Sequence, residues 1–301
     1  MTNATRYFGA VEAGGTKFVC AIGDERGNVI AQVRFPTMDP RSTLAAMHAF
    51  LRQEDAAPKP LAAIGVASFG PVELDKSSPR FGFIGHTPKV GWSGTDIAGS
   101  LAHEFRCPIG FDTDTNAAAL AEHRWGAARQ LKNMVYLTIG TGIGGGVLVG
   151  GVPIHGLMHP EIGHIFPRRH ALDLHFEGTC PFHGDCMEGL ASGPAILARA
   201  GISLQHLDHA HPQWEMEADY LGQLCAQLVL TVSPQRIIMG GGVMSHARLF
   251  PLIRRRVRHW LGGYIDRSDI LTGIDEYVVA PGLGDRAGVL GALALAMDAA
   301  A

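Results

Sequence analysis

In the heptapeptide CPFHGDC, Cys180, His183 and Cys186 follow one another at three-residue intervals. Thiolates and an imidazole so spaced on a short loop form a ligand set that suits tetrahedral zinc. A fourth ligand has to come from the surrounding loop. His155, His159, His164, His170 and His175 all qualify by proximity, and local chemistry leaves the choice open. Carboxylates form a second group. Asp114, in FDTDTNAAALAEHRWG, stands where a strand runs into a helix. There the partial positive charge of a helix N-terminus favours the ionised form by about 0.3–1 kcal/mol. Such a group can accept a proton or simply cap the helix. Asp112 beside it reads as structural, while Glu161 in HPEIGH and Glu188 just after Cys186 lie in the His- and Gly-rich stretch.

The third group is backbone. Gly14-Gly15-Thr16-Lys17, Gly140-Thr141-Gly142 and Gly240-Gly241-Gly242 are turns whose bare amides can surround phosphate oxygens, because no Cβ blocks close approach. GTGIGG at 140–145 has the form of the dinucleotide fingerprint, but VLVGG follows it as a strand, whereas the fingerprint must open a helix. No GxxxxGK[ST] loop occurs. The recurrence of such turns points to nucleotide binding.

The elements that must position these groups follow from pattern. YFGAVEAGGTKFVCAIGD and VYLTIGTGIGGGVLVGG each read as strand, tight turn and returning strand, which predicts two lobes of related architecture. LAAIGVASFGPVEL gives a further strand, and DKSSPRFGFIGHTPKVGW a surface loop. A helix follows Asp114, with Asp114 or Thr115 as its N-cap and Gly126 at its stop. Ser192 and Pro194 open the next helix. ADYLGQLCAQLVLTVSP is an apolar helix, RIIMGGGVM a buried strand and glycine turn, and SHARLFPLIRRRVRHWL a helix interrupted by Pro251. GDRAGVLGALALAM closes the chain as a small-residue helix. The class is mixed α/β.

Composition bounds the rest. The chain has 301 residues, 47% hydrophobic and 18% charged, with a formal charge of -3, which fits a compact protein with no field favouring nucleic acid or anionic lipid. The basic run RRRVRH at 254–259 reads as a solvated helix face. Glu12 interrupts the only N-terminal stretch where a signal peptide would stay apolar, and GVLGALALAM is about half of the roughly 20 residues a bilayer requires. A cytoplasmic protein without membrane or nucleic-acid partners is expected, its five cysteines forming no disulfide framework. Cys20, Cys107 and Cys225 lie in apolar settings and read as core.

EAGGTK, FDTDTNAAALAE, LTIGTGIGGG, HPEIGH, CPFHGDCMEGLASGPA and GGGVM, in this order, resemble the ROK (repressor, open reading frame, kinase) family, and within it the zinc-containing bacterial fructokinases. The resemblance implies a two-lobed, actin-like ATPase (ribonuclease H-like) fold with an interlobe cleft. It divides the chain at 1–118 and 119–301, with the last helix, 285–300, packing back on the first lobe. It implies ATP-dependent phosphorylation of a hexose at its 6-hydroxyl, D-fructose foremost, with glucose or mannose as alternatives. Asp114 becomes the base that receives the hydroxyl proton. Gly70, Thr87, Thr113, Glu161, His164 and Glu188 become sugar-side residues. Gly14, Gly15, Thr16, Lys17, Gly140, Thr141, Gly142, Pro194, Gly240, Gly241, Gly242, Val243 and Met244 become the ATP site. His164, Cys180, His183 and Cys186 become the ligands of a structural Zn2+, and Mg2+ accompanies ATP. Relatives of this kind are commonly homodimers.

The chain departs from the family at two places. Thr113 stands where many relatives carry an asparagine, and Glu12 where many carry an aspartate. About ten residues precede Glu12, too few for the helix-turn-helix of the family's repressors. A non-catalytic sugar-binding regulator would be expected to lack Asp114, which is present.

Overall fold

The computed structural model describes residues 5–53 and 60–301. Its contacts divide the chain into two compact units. The first holds the described residues up to Arg129 together with Val152–Pro160 and Asp285–Ala301; the second holds Gln130–Gly151 and Glu161–Gly284.

The first unit carries five strands, β1 (Tyr7–Ala13), β2 (Lys17–Asp24), β3 (Val29–Pro36), β4 (Ile64–Ser68) and β5 (Ile109–Thr113), in the order β3-β2-β1-β4-β5. The first three form an antiparallel meander, and β4 and β5 join in parallel. In β2, six consecutive apolar residues are buried, as a strand covered on both faces demands. β3 alternates between exposed and half-buried residues and takes the edge. Helix α1 (Pro40–Arg52) starts at Asp39, whose carboxylate accepts the Ser42 N–H at 3.0 Å. Helices α2 (Ala98–Phe105) and α3 (Asp114–Arg124) flank β5 in sequence.

The segment read as a surface loop is pinned from within. Ile84 and Trp92 are fully buried. The Trp92 ring packs on Phe18 and Phe69, and its Nε1 donates to the Met38 carbonyl at 2.9 Å. Trp92 is therefore an anchor of this loop.

The second unit repeats the plan of a hairpin followed by parallel strands. β6 (Met134–Ile139), β7 (Ile143–Val149), β8 (Val152–Pro153), β9 (Ile237–Gly240) and β10 (Val278–Val279) form a sheet in the order β10-β9-β6-β7-β8, where β8 marks the chain's departure from the unit. β6 and β7 are antiparallel; β9 and β10 are parallel additions. The helices are α4 (Met187–Ala191), α5 (Gly193–Ala200), α6 (Gln213–Val232), α7 (Leu249–Leu261), α8 (Ser268–Leu271) and α9 (Ile274–Tyr277). α6 is buried almost all round, matching its apolar sequence.

One expectation for α7 needs correction. Pro251 lies in its first turn, where a missing N–H costs nothing, so the helix runs unbroken to Leu261. The basic run lies on the solvent side, with Arg255, Arg258 and His259 exposed as expected, and its arginines also reach neighbouring elements. Arg254 donates to the Val278 and Asp275 carbonyls, Arg255 and Arg256 to the Glu215 carboxylate, and Arg258 to the Ile270 carbonyl.

Helix α10 (Ala287–Ala299) returns to the first unit and packs against β4, β5 and α3. Small residues permit the close approach: a Cβ on Gly65 would overlap the Ala292 carbonyl oxygen, and one on Gly291 the Ala117 carbonyl. The division expected after residue 118 falls inside α3, whose packing on α10 keeps it in the first unit. Among the described residues, no helix is long and apolar enough to cross a membrane.

Candidate functional site

In the first unit, β5 delivers the chain into α3 at Thr113-Asp114. The N-cap is Thr113, not Asp114 or Thr115: its Oγ1 accepts the Asn116 N–H at 3.1 Å. Asp114 is thereby displaced into the first turn, half-buried, where the helix dipole favours its ionised form. The helix ends at Arg124 with Trp125 as C-cap, short of Gly126. Thr113 is 4% exposed and its hydroxyl also lies 3.2 Å from that of Thr115, so two of its three hydrogen-bonding positions are used inside the helix start. Asp112, 2% exposed, accepts from the Thr113 N–H and from Asn116 Nδ2, both at 2.7 Å, and meets His155 Nε2 at 2.9 Å. The pattern of the sequence offered no reason to single out His155 or Asn116 for this junction.

The β1–β2 turn closes through the Gly14 N–H, which donates to the Lys17 carbonyl at 3.0 Å, and Thr37 Oγ1 donates to the Gly14 carbonyl at 2.7 Å. Thr16 and Lys17 project exposed from it, beside the half-buried Gly15. Glu12, which precedes this turn, packs its carboxyl against Gly288. Burial raises its pKa, opposed by Lys17 and Arg34. Gly70 follows β4, half-buried. Thr87 is nearly buried; its N–H donates to Ser93 Oγ and its Oγ1 accepts the Lys89 N–H, so it braces its own loop.

In the second unit three backbone turns converge. Gly193 N–H donates to the Gly140 carbonyl at 2.8 Å, which sets the start of α5, with exposed Pro194, beside the β6–β7 turn. The Gly242 amide lies close to Gly140. Gly241 has φ +92° and faces the Ile139 backbone so closely that a Cβ would clash. Gly140, Thr141, Gly142, Gly240, Gly241 and Gly242 thus present one field of backbone, floored by the buried Val243 and Met244.

Glu188, in the first turn of α4, accepts the Ile143 N–H at 2.9 Å through Oε2. Glu161 lies at the surface by area, yet burial of its carboxyl and then the nearby Glu188 charge push its pKa up to about 6. Beneath α4, Asp173 grips Arg199 at 2.8 and 2.9 Å and accepts from the Tyr220 hydroxyl at 2.7 Å; Arg199 in turn donates to the Leu190 carbonyl at 2.7 Å. This buried brace under the Glu188 helix has no local sequence signal, because its parts come from three distant segments.

The opening heptapeptide finds its fourth partner in His164, at the end of a single 3-10 turn, Ile162–His164. His164 Nδ1 lies 3.5 Å from Cys186 Sγ and 3.8 Å from Cys180 Sγ, and His183 Nδ1 lies 3.6 Å from Cys180 Sγ. All four ligand atoms fall within 4.8 Å of one another. Zinc bonds of about 2.3 Å to sulfur and about 2.0 Å to nitrogen give ligand-to-ligand separations of roughly 3.4–3.8 Å in a tetrahedron. The four residues therefore fit such an ion. The Met187 N–H donates to the Ile165 carbonyl at 2.8 Å, joining the His164 turn to α4. Cys20, Cys107 and Cys225 are free; Cys20 and Cys225 are core, and Cys107 is half-buried.

Comparison with known proteins adds four findings. The sequence profile of the ROK family matches residues 8–299. A fructokinase of Zymomonas mobilis is 44% identical over 304 residues, covering 99% of each chain. The crystal structure of the ROK hexokinase of Thermus thermophilus superposes with a TM-score of 0.79 at 27% identity, covering 97% of this chain and 98% of that one. A ROK family glucokinase from Streptomyces griseus, crystallised with glucose and AMPPNP, gives 0.73 at 25% identity, covering 98% and 100%. The α/β fold is accordingly of the actin-like ATPase type.

Proposed function

The chain belongs to the ROK family, and from that premise we propose that it is an ATP-dependent kinase of hexoses, converting D-fructose to D-fructose 6-phosphate. The observation that carries this reading is full-length identity of 44% with a fructokinase, against 25% with a glucokinase of the same family.

The 6-hydroxyl oxygen bonds to the γ-phosphorus of ATP, its proton passes to the Asp114 carboxylate, and the bond from that phosphorus to the bridging oxygen breaks, its electron pair leaving with ADP. Such a transfer needs positioning and charge neutralisation more than covalent help from the protein. Asp114 suits proton acceptance because it lies in the first turn of α3, at a strand–helix junction where the helix N-terminus favours a carboxylate. Glu161 and Glu188 accept sugar hydroxyls, with His164 beside them; Gly70 and Thr87 shape the sugar-side loop. Thr113 caps the helix with its hydroxyl and keeps one hydrogen-bonding position for the sugar side. Gly14, Gly15, Thr16 and Lys17 form one phosphate turn. Gly140, Thr141, Gly142, Pro194 and Gly240, Gly241, Gly242, Val243 and Met244 form the rest of the nucleotide site.

Mg2+ bound with ATP would neutralise the phosphate oxygens. Zn2+ held by His164, Cys180, His183 and Cys186 would be structural, with no position left for water. Its ligands stand three and two residues from Glu161 and Glu188, so the clip steadies both carboxylates. A cytoplasmic homodimer completes the proposal.

A coupled assay of ADP release over a panel of hexoses tests it. Fructose is expected to support the highest kcat/KM. A protein with no hexose-dependent turnover would overturn the assignment; preference for glucose or mannose would keep the kinase and change its sugar.

A further inference from the structure

After β8 the chain runs as His155–Pro160 along the first unit, and two histidines fasten it there. His155 Nε2 lies 2.9 Å from Asp112 Oδ2, and His159 Nε2 accepts the Val72 N–H at 3.2 Å. The other oxygen of Asp112 accepts from Thr113 N–H and Asn116 Nδ2. Thr113 and Asn116 are the cap of α3 and the residue it caps, so the hydrogen bonds of Asp112 bracket Asp114. A carboxylate only accepts, which fixes a proton on His155 Nε2.

We propose that His155 is a positioning residue: by donating to Asp112 it fixes the start of α3 and thereby the direction of the Asp114 carboxylate. Through His159 the same segment holds the sugar-side loop at Val72. The proposal rests on the kinase reading above.

The physical case is one of satisfaction. Asp112 is almost wholly buried, and a buried carboxylate needs donors on both oxygens. Two donors come from α3 and its cap; the donor to Oδ2 comes from His155, whose chain position is 43 residues away. With His155 removed, Asp112 would turn toward water or take up a proton, and the Thr113–Asn116 contacts would turn with it. His155 keeps 42% of its side chain exposed and lines a cavity of about 790 Å³ with Val72, Arg80, Phe83 and His86.

The charge state matters as well. Asp112 on β5 raises the His155 pKa, chiefly by their hydrogen bond, against desolvation and Lys76. Asn116 Nδ2 on α3 approaches the ring at 3.4 Å. His159 is the other imidazole on the segment, and Arg80, His86, Glu73 and Asp75 line the cavity. Protonated and neutral His155 both keep the proton on Nε2 that faces Asp112; loss of the Nδ1 proton removes the positive charge, which weakens the charge-assisted bond to the carboxylate and loosens the junction.

Kinetics of His155→Ala and His155→Gln on the full chain test this, with circular dichroism confirming the fold. His155→Ala is expected to lower kcat about 10–100-fold, as a displacement of up to 1 Å at a reacting group does, while the hexose KM shifts by less than about 3-fold. His155→Gln retains a donor and should recover most of the rate. The wild-type kcat should fall on an alkaline limb that His155→Gln lacks, and amide exchange at Asn116 should accelerate in His155→Ala. Unchanged kcat in His155→Ala, a persisting alkaline limb in His155→Gln, or unchanged exchange at Asn116 would each overturn the proposal alone. A wild type inert toward every hexose would overturn the kinase reading and this proposal together.

Discussion

Glu188 Oε2 accepts the Ile143 N–H at 2.9 Å, so one carboxylate joins the first turn of α4 to the glycine turn Gly140–Gly142. The same side chain also stands near Glu161, whose pKa it helps to raise. A group with a foot in both places links the Glu161–Glu188 pair to the Gly140–Gly142 turn.

Replacing Glu188 should therefore affect two substrates. Glu188→Ala removes a charged acceptor worth about 1.5–3 kcal/mol, which corresponds to roughly 10–100-fold in KM for the hexose, and it frees the Ile143 amide so that the ATP KM rises too. Glu188→Gln keeps an acceptor for Ile143 and should spare ATP. Steady-state kinetics with each substrate varied in turn will show whether the two KM values separate this way; an ATP KM untouched in Glu188→Ala would break the link.

Asp114→Asn removes the proton acceptor while keeping the side chain's shape. A fall in kcat of about 10²–10⁴-fold is expected, the usual contribution of a general base. Stability should drop by no more than about 0.3–1 kcal/mol, the worth of a carboxylate at a helix N-terminus. Rate measurements alongside thermal melts separate the two effects. Intact turnover in a folded variant would remove Asp114 from its proposed role.

Zinc content, measured by elemental analysis, should fall in Cys180→Ser and after prolonged chelation, with a lower Tm in both. Cys186→Ser should in addition raise the hexose KM, because Glu188 is two residues on and the Met187 N–H holds α4 to the Ile165 carbonyl. Full metal retention in Cys180→Ser would disprove the four-residue site.

Glu161 sets a pH dependence whose sign is fixed. Its folded-state pKa of about 6 lies above the ordinary 4.5, so the folded chain binds more protons than the unfolded one between these values. Its contribution to stability therefore declines as pH rises through that window and stays unfavourable above it. Glu161→Gln should unfold at higher urea than wild type at pH 7 and match it near pH 4.5. In the active enzyme the hexose KM should climb as pH drops below about 6, when the carboxylate is lost. Parallel urea curves at both pH values in wild type and variant would refute the assignment.

Local chemistry was readable where the residues that act together are neighbours in the chain. Both glycine hairpins are marked by apolar runs on either side of a turn, and Cys180, His183 and Cys186 announce their own cluster. TDTN at 113–116 suggests Asp114 or Thr115 as the cap, and only the Thr113–Asn116 contact shows that Thr113 takes that place. His155 and Asp112 meet across 43 residues, and Arg199 reaches Asp173 across 26. No periodicity encodes such encounters. The basic run on α7 is exposed as its pattern suggests, but its partners, Glu215 and the carbonyls of Ile270 and Val278, belong to other elements and leave no mark in the sequence.

Helix α10 packs on β4, β5 and α3 through positions as tight as Gly65 and Gly291, yet it follows every other described element in sequence. During synthesis on the ribosome, the strands of the first unit emerge long before the helix that covers them. The second unit, whose residues end at Gly284, can finish folding while the first still exposes an apolar sheet. Nascent chains stalled before Ala287 should accordingly be bound by chaperones at the β4–β5 face, and release should coincide with the emergence of the final helix.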